Sequence, residues 1–327
     1  MKDQKFGIEI EMTGITRKMA AEVVSKHFDT DFQYIGTGYD TREIRDGNNR
    51  IWKIVYDGSI TPQKNRGAET ADNYKVELVS PICKYEDIET VQELVRKLRQ
   101  RGAVINTSCG VHVHVDATHH TAKTIRNITN IMASKEDLIF KSLQVDRNRE
   151  TRFCKKVNDR FLQQINARRP KSKAEIQGMW YQGCDQSRHH YDHSRYHALN
   201  LHSTWNKGTI EFRLFNGTLH AGEIKTYIQF SLAVSHQALQ QRFACHSKTA
   251  STNEKYTFRT WLLRLGMIGD EFKTARGHLL KNLDGCIAWK NPEDAIKQRE
   301  EIKKRKQEKE ELKQTDESSE EDLSVSM

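Results

Sequence analysis

Near its amino terminus the chain alternates between apolar and acidic residues. The segment Gly7–Met12 reads Gly-Ile-Glu-Ile-Glu-Met, so Glu9 and Glu11 are each flanked by apolar side chains. A repeat of two residues is typical of a β-strand and would place both carboxylates on one face of it. Neighbouring carboxylates repel each other, which a solvated strand face tolerates but does not require.

The same alternation returns three times further along the chain. The recurrences are Val76–Pro81 with Glu77, Val111–Asp116 with His112 and His114, and Ile210–Phe215 with Glu211 and Arg213. A sheet built from these strands would have one apolar face and one face carrying Glu, His and Arg. Buried charges persist when they are paired or bound to a metal, and carboxylates with imidazole suit magnesium or manganese.

Between these strands, apolar residues recur at helical spacing. Helices are expected after the capping residue Thr16, from Ile88 until shortly before Gly102, and over about 119–144, 221–240, 256–265 and 270–282. Residues 29–50 are predicted to be loop or short edge strands, and Asp57 follows a short strand in a turn. Buried parallel strands usually form continuous apolar runs. The pattern therefore predicts an α+β protein whose sheet is largely antiparallel and has helices on its apolar face.

Composition bears on the cellular compartment in which the protein is expected. The 327 residues carry a formal net charge of +9, and the six cysteines are scattered without a C-x-x-C pair. The scattered cysteines favour a reduced, cytoplasmic protein and argue against a cysteine-based zinc site. The chain lacks a long apolar run, and Lys2–Lys5 lead directly into the first strand, so we expect neither a transmembrane helix nor a secretory signal.

Charge also suggests the domain organisation. We expect a catalytic domain over 1–290, with a basic helical insertion at about 119–175, and a charged, disordered tail over 291–327. Within this tail, a solvated helix is expected to run into a disordered acidic end at 316–322. The basic run 147–173 suits a solvated helix face or an anionic partner, but no nucleic-acid-binding motif accompanies it, so nucleic acid is not expected. The histidines in 185–202 match no tight zinc spacing and favour a polar loop, which could cover a nucleotide.

Five segments together resemble the amidoligase family, a branch of the glutamine synthetase and glutamate–cysteine ligase-like carboxylate–amine ligases. They are Gly7–Met12, Val76–Pro81, Cys109–Val115, Tyr196–Asn200 and Gly208–Phe215, and they occur in the family's order between about residues 5 and 240. The resemblance implies a curved antiparallel sheet whose concave face holds ATP and two or more Mg²⁺ or Mn²⁺ ions. It also implies amide formation through an acyl phosphate.

The resemblance assigns roles to individual residues. The implied metal ligands are Glu9, Glu11, Glu77, His112 and Glu211. His114 would lie nearer the substrate or nucleotide, Arg213 would bind phosphate, and Arg195 and Asn200 would contact phosphate or substrate. Glutamine synthetases carry two acids near the second motif, whereas only Glu77 is clear in this chain. Asp57 could supplement it, so the number of metal ions stays open.

The expected partners are ATP, an amine, and a carboxylate that could belong to an amino acid, a peptide, a cell-wall fragment or a protein. Two other functions fit the same residues. A metal-dependent hydrolase such as a phosphoesterase would need no ATP. A catalytically silent module that binds nucleic acid or protein would use the basic segment, but the intact Glu and His motifs count against it.

Overall fold

A computed structural model describes residues 1–64, 67–68, 70–291, 293–294 and 296–308. Its strands are β1 Phe6–Met12, β2 Phe32–Tyr34, β3 Arg42–Arg45, β4 Ile51–Val55, β5 Val76–Val79, β6 Gly110–Asp116, β7 Leu199–Asn200 and β8 Thr209–Asn216. They form one open, curved sheet in the order β2-β3-β4-β5-β1-β6-β8-β7, and every neighbouring pair is antiparallel. The predicted α+β class and antiparallel sheet are confirmed.

The α-helices of residues 1–282 lie between and after these strands. They are α1 Arg17–Phe28, α2 Ile88–Arg101, α3 Ala122–Leu143, α4 Arg147–Arg152, α5 Asp159–Arg168, α6 Lys173–Trp180, α7 His202–Asn206, α8 Ala221–Gln240, α9 Glu254–Arg264 and α10 Lys273–Leu280. Short 3₁₀ turns occupy Asp72–Tyr74, Tyr85–Asp87, His193–Arg195 and Asp270–Phe272. None of the described helices is long and apolar enough to cross a membrane.

Local chemistry explains where the first helices begin and end. The Thr16 hydroxyl accepts a hydrogen bond from the Met19 amide, which satisfies a donor at the start of α1. Gly102 follows α2 with φ of 109°, a left-handed conformation that glycine adopts without a Cβ clash. Both predictions from the sequence are confirmed.

The apolar side chains of β1 lie in the core. Ile8, Ile10 and Met12 are at most 1% exposed. Helix α8 contacts β1 and β6 and packs against α2 and α3, while α1 contacts β3 and β4. Each Å² of apolar surface removed from water contributes about 25 cal/mol to the free energy of folding. Burial of these side chains is therefore a major source of the stability of the fold. One face of the sheet is thereby covered, and the alternate side chains point the other way.

The chain divides into two compact units. The first comprises Met1–Thr249 and Leu262–Asn282 and contains the whole sheet. The second comprises Ala250–Trp261 and the residues from Leu283 onward. In the second unit, residues 296–308 are helical and exposed. The acidic end predicted to be disordered, 316–322, lies outside the described residues, and the predicted domain boundaries stay predictions.

Candidate active site

Strand register brings the predicted ionisable residues into one band across the polar face of the sheet. Each pair of neighbouring strands contributes a directly opposed pair of these residues. The pairs, from β5 to β7, are Glu77 with Glu11, Glu9 with His112, His114 with Glu211, and Glu211 with Asn200. Opposed residues in an antiparallel sheet lie about 4.5–5.5 Å apart, so the pairing forces these side chains together.

His112 lies between two groups of carboxylates. Its Nδ1 is 3.2 Å from Glu9 Oε2 and 3.8 Å from Glu211 Oε1, and its Nε2 is 3.7 Å from Glu11 Oε1. The structure thus contains two potential three-residue cation sites that share this imidazole, Glu9–His112–Glu211 and Glu11–Glu77–His112. A neutral imidazole has one unprotonated nitrogen, so His112 can serve one ion at a time.

The spacing and chemistry of both groups fit a divalent cation. Within each group the candidate ligand atoms lie within 4.8 Å of one another. Oxygen ligands bind Mg²⁺ at about 2.0–2.1 Å and are therefore at most about 4.2 Å apart, so side-chain adjustments of a few tenths of an ångström would bring these atoms into range. Oxygen-rich sites with one imidazole suit Mg²⁺ or Mn²⁺. The role of these five residues as metal ligands remains a prediction.

Without a cation, the carboxylates perturb one another strongly. Burial, together with the charge of Asp57, raises the pKa of Glu11 to about 8. Burial and the charges of Glu9, Asp57 and Glu11 hold the pKa of Glu77 well above its usual range. Burial lowers the pKa of His112 to about 4, so its contacts with the carboxylates are those of a neutral ring. A bound cation would relieve the repulsion between the acids.

Glu211 is held from two sides. Arg213 Nη1 donates a hydrogen bond of 2.5 Å to its Oε1, and Asn200 Nδ2 donates one of 2.6 Å to its Oε2. Burial alone would raise the pKa of Glu211, but the charges of Arg213, His114 and His112 together more than offset this and keep the pKa below its usual range. Arg213 Nε and Asn200 Oδ1 are buried and have no hydrogen-bond partner in the part of the chain that the structure describes. Both groups therefore retain hydrogen-bonding capacity for a ligand.

A bulge in β8 lies next to Arg213. Val111 pairs with Phe215 and Val113 with Phe212, so β8 has one more residue than β6 between these pairs. Bulges bend a strand and change the direction of a side chain, and they are common next to active sites. The alternating pattern predicted the face on which Arg213 lies but did not predict the bulge.

His114 lies beside the acidic cluster, on the side away from Glu11. Its Nδ1 is 3.0 Å from Thr209 Oγ1, and its Nε2 is 3.3 Å from Glu9 Oε1. The Nε2 atom is buried and makes no hydrogen bond within the described residues. His114 therefore faces Glu9 at the edge of the acidic cluster.

A cavity of about 480 Å³ opens over the cluster, which is within the range typical of small-molecule sites. Glu9, Glu77, His112 and Arg213 line it together with Asp57. Its aromatic lining consists of Tyr39, Tyr56, Phe153, Tyr191 and Tyr196. The cavity thus combines an acidic surface with aromatic faces on which a planar ring can stack.

Arg195 belongs to the wall of this cavity and does not contact the acidic cluster. Its guanidinium lies 5.8 Å from the ring centres of both Tyr191 and Tyr196, and its Nη1 donates to the His190 carbonyl at 3.0 Å. The Tyr191 hydroxyl in turn lies 2.5 Å from that of Tyr39. The loop predicted to be polar thus forms part of the cavity wall.

The sequence matches a family model described as putative amidoligase enzyme over residues 2–235. The chain belongs to the amidoligase family. This confirms the resemblance and supports a ligase-type enzyme. No curated protein matches the chain at significant similarity.

Two cationic residues of this amidoligase escaped sequence reasoning. Lys207 Nζ lies 3.1 Å from Glu9 Oε1 and lines the cavity. Glu9 raises the pKa of Lys207 against the effect of burial. Glu9 itself has a pKa well below its usual range, because His114 and Lys207 more than offset the effect of burial. A lysine just before β8 carried no signal of its own.

Arg149 is the second, and it is 3% exposed. The expectation of a solvated face for the basic run is wrong at this residue. A Cβ at Gly110 would overlap the Arg149 guanidinium, and Gly110 N donates a hydrogen bond of 2.6 Å to Glu11 Oε2. Gly110 was the available signal, because a glycine at the start of a motif strand suggests that another group approaches closely.

Proposed function

We propose that this amidoligase joins a carboxylate to an amine at the expense of ATP, through an acyl phosphate. The observation that carries the proposal is the acidic cluster in the cavity, formed by Glu9, Glu11, Glu77 and Glu211 around His112, with Arg213 beside it. Phosphoryl transfer needs cations and positive side chains where charge develops on the phosphate oxygens. The cluster would hold the cations, and Arg213 supplies a positive side chain beside them.

The proposed reaction has two steps. In the first, a substrate carboxylate oxygen attacks the γ-phosphorus of ATP, the bond to the β–γ bridging oxygen breaks, and ADP leaves with that electron pair. In the second, an amine attacks the acyl carbon and phosphate leaves with the electrons of the C–O bond. The amine gives up a proton, and His114 is the proposed acceptor because its imidazole lies at the acidic cluster, with Nε2 3.3 Å from Glu9 Oε1.

The chain's own residues divide the remaining work. Bound Mg²⁺ or Mn²⁺ would neutralise charge on the phosphate oxygens. Arg213 presents a guanidinium fork suited to phosphate, and Arg195 reaches the same cavity from the wall. Asn200 fixes Glu211. The tyrosines and Phe153 offer surfaces for the adenine ring.

The proposed carboxylate and amine belong to the classes already named, an amino acid, peptide, cell-wall fragment or protein side chain, and the proposed setting is the cytoplasm. Hydroxylamine can replace the natural amine, and it converts an acyl phosphate into a hydroxamate. We expect ADP release and hydroxamate formation that require a carboxylate, ATP and Mg²⁺ together. The assay uses a set of carboxylates from these classes. If none of them gives a hydroxamate, and the protein cleaves a phosphate ester with metal alone, the ligase proposal fails and a hydrolase takes its place.

A further inference from the structure

A second cavity lies at the other end of the polar face, and Lys207 lines both. It has a volume of about 440 Å³ and is formed where β1 begins, β5 and β6 end, and β8 begins. Gly7, Ser80, Ile82, His114 and Asp116 contribute to its lining. On β1, Gly7, Glu9 and Glu11 alternate along one face, so this strand leads from the second cavity into the acidic cluster.

The backbone of Lys207 is well anchored, while its side chain is accessible. Its amide donates a hydrogen bond of 2.8 Å to the Ser203 carbonyl at the end of α7. The side chain is 42% exposed. Nζ carries three donors, and only the one directed at Glu9 Oε1 has a partner within the described residues. Two donors therefore remain for a ligand that lies between the cavities.

We propose that Lys207 binds the reacting carboxylate of the substrate at the point where the two cavities meet. This inference rests on the proposed function. The first cavity would contain the nucleotide, so the carboxylate would reach its γ-phosphate from the second cavity. Lys207 is the charged side chain shared by the two linings.

Electrostatics gives this ammonium a specific task. A carboxylate that approaches a triphosphate meets strong repulsion between like charges, which is severe where water is excluded. A lysine ammonium is a compact charge on a flexible stem, so it can hold a carboxylate oxygen while that oxygen moves towards phosphorus. Lys207 would thus lower the cost of bringing the two anions together and would orient the nucleophile.

The same geometry makes Lys207 a competitor for Glu9. Its ammonium occupies one side of a carboxylate that belongs to a candidate cation site. Removing the ammonium would free that carboxylate and remove a repulsive charge next to the cation. Metal binding should therefore become tighter in the absence of Lys207, although activity falls. A residue needed only for the structure of the site would change both in the same direction.

The test compares Lys207→Met with Lys281→Met. Lys281 is a matched control because it is 51% exposed and pairs with Glu223 at 2.8 Å, outside both cavities. Mn²⁺ affinity is measured by electron paramagnetic resonance, and hydroxamate formation is measured while carboxylate and ATP are varied separately. For Lys207→Met we expect kcat/KM for the carboxylate to fall by roughly 10²–10³, a change in KM for ATP of less than about threefold, and Mn²⁺ binding tighter by roughly tenfold. Lys207→Arg should recover part of the carboxylate effect, and Lys281→Met should behave as wild type.

The outcomes separate this inference from the proposed function. An active wild type whose Lys207→Met variant keeps its kcat/KM for the carboxylate would overturn the role of Lys207 alone. Weaker Mn²⁺ binding together with lost activity would also overturn it, because Lys207 would then only maintain the site. A wild type that makes no hydroxamate from any carboxylate would overturn the proposed function itself.

Discussion

At the scale of single residues, Glu211 and Arg213 are hydrogen-bonded to each other but are expected to have different roles. They share a hydrogen bond of 2.5 Å, yet Glu211 also belongs to a candidate cation site, while Arg213 lines the cavity. Removing the charge of Glu211 should weaken a metal ion, whereas removing Arg213 should weaken the hold on phosphate. The two losses should therefore respond differently to added metal.

Two substitutions test this separation. Glu211→Gln keeps the shape but removes a negative charge, so hydroxamate formation should fall and raised Mg²⁺ should partly restore it. Arg213→Ala should lower turnover by about 10²–10³, the usual cost of removing one preorganised electrostatic contact, and metal should not restore it. Steady-state rates over a Mg²⁺ series measure both. Equal rescue of the two variants by metal would contradict the assignment.

Gly110 allows a prediction about Arg149. A Cβ at residue 110 would overlap the buried guanidinium, and overpacking of this kind costs about 1–3 kcal/mol. Gly110→Ala should therefore lower the free energy of unfolding by that amount, measured in urea. Gly178→Ala is the control, because Gly178 lies in helix α6 with open space around its Cβ position. The free energy of unfolding of this variant should be unchanged or slightly higher.

A double-substitution cycle completes this test. In an Arg149→Ala background the overlap is gone, so Gly110→Ala should cost much less than in the wild type. An equal cost in both backgrounds would show that Arg149 does not impose the glycine.

At the scale of secondary-structure elements, the motif strands could be predicted, whereas the contacts between distant elements could not. Alternation in β1, β5, β6 and β8 separates an apolar face from a polar one, and this depends only on neighbouring residues. The register between strands could not be predicted, because nothing in the local sequence indicates that Glu11 pairs with Glu77. Arg149 is one of many basic residues in its stretch, and its burial depends on Gly110 in a distant strand. Such long-range pairings leave no local pattern.

Another long-range contact joins three elements through His120, which is 1% exposed. His120 follows β6, and its Nε2 lies 2.9 Å from the Ser235 hydroxyl in α8. That hydroxyl donates to Gln4 Oε1 before β1, so it accepts from the imidazole. Nδ1 has no partner in the described part of the chain, and the ring is therefore buried in its neutral form.

The buried imidazole predicts a pH-dependent stability. Burial, with a smaller contribution from Lys173, lowers the pKa of His120 from 6.5 to about 4. Between these values the unfolded chain takes up a proton that the folded chain excludes, so stability is complete above pH 6.5 and falls as the pH is lowered. The full effect is about 3 kcal/mol at 1.36 kcal/mol per pKa unit, and about 2 kcal/mol is lost by pH 5.

His120→Gln isolates this contribution because it removes the titrating group and retains a donor for Ser235. The loss of unfolding free energy between pH 7 and pH 5, measured in urea, should be about 2 kcal/mol smaller than in the wild type. His119→Gln is the control, since His119 is exposed and adjacent in sequence. An unchanged pH dependence in His120→Gln would show that the folded protein admits the proton at this position.

At the scale of the whole molecule, the local and overall charges have opposite signs. The chain carries a net charge of +9, yet its polar sheet face gathers four glutamates and Asp57 around one imidazole. A basic surface attracts anionic substrates such as ATP, and an acidic cluster inside it retains cations. The cluster exists only when strands β5, β1, β6 and β8 are paired in register, so the unfolded chain offers no equivalent site.

A metal ion that binds this cluster should therefore stabilise the whole fold. Ligands that bind only the folded state stabilise it by RT ln(1 + [L]/Kd), or about 2.7 kcal/mol at one hundred times Kd. We expect the melting temperature to rise with the logarithm of Mn²⁺ or Mg²⁺ concentration and to fall with a chelator, as measured by calorimetry. Glu211→Gln should lose most of this gain. Glu136→Gln should keep the gain despite a lower starting stability, because Glu136 is a buried glutamate that binds Lys248 and the Val157 amide away from the cluster. A melting temperature independent of metal, or equal gains in the two variants, would mean that the acids hold no cation.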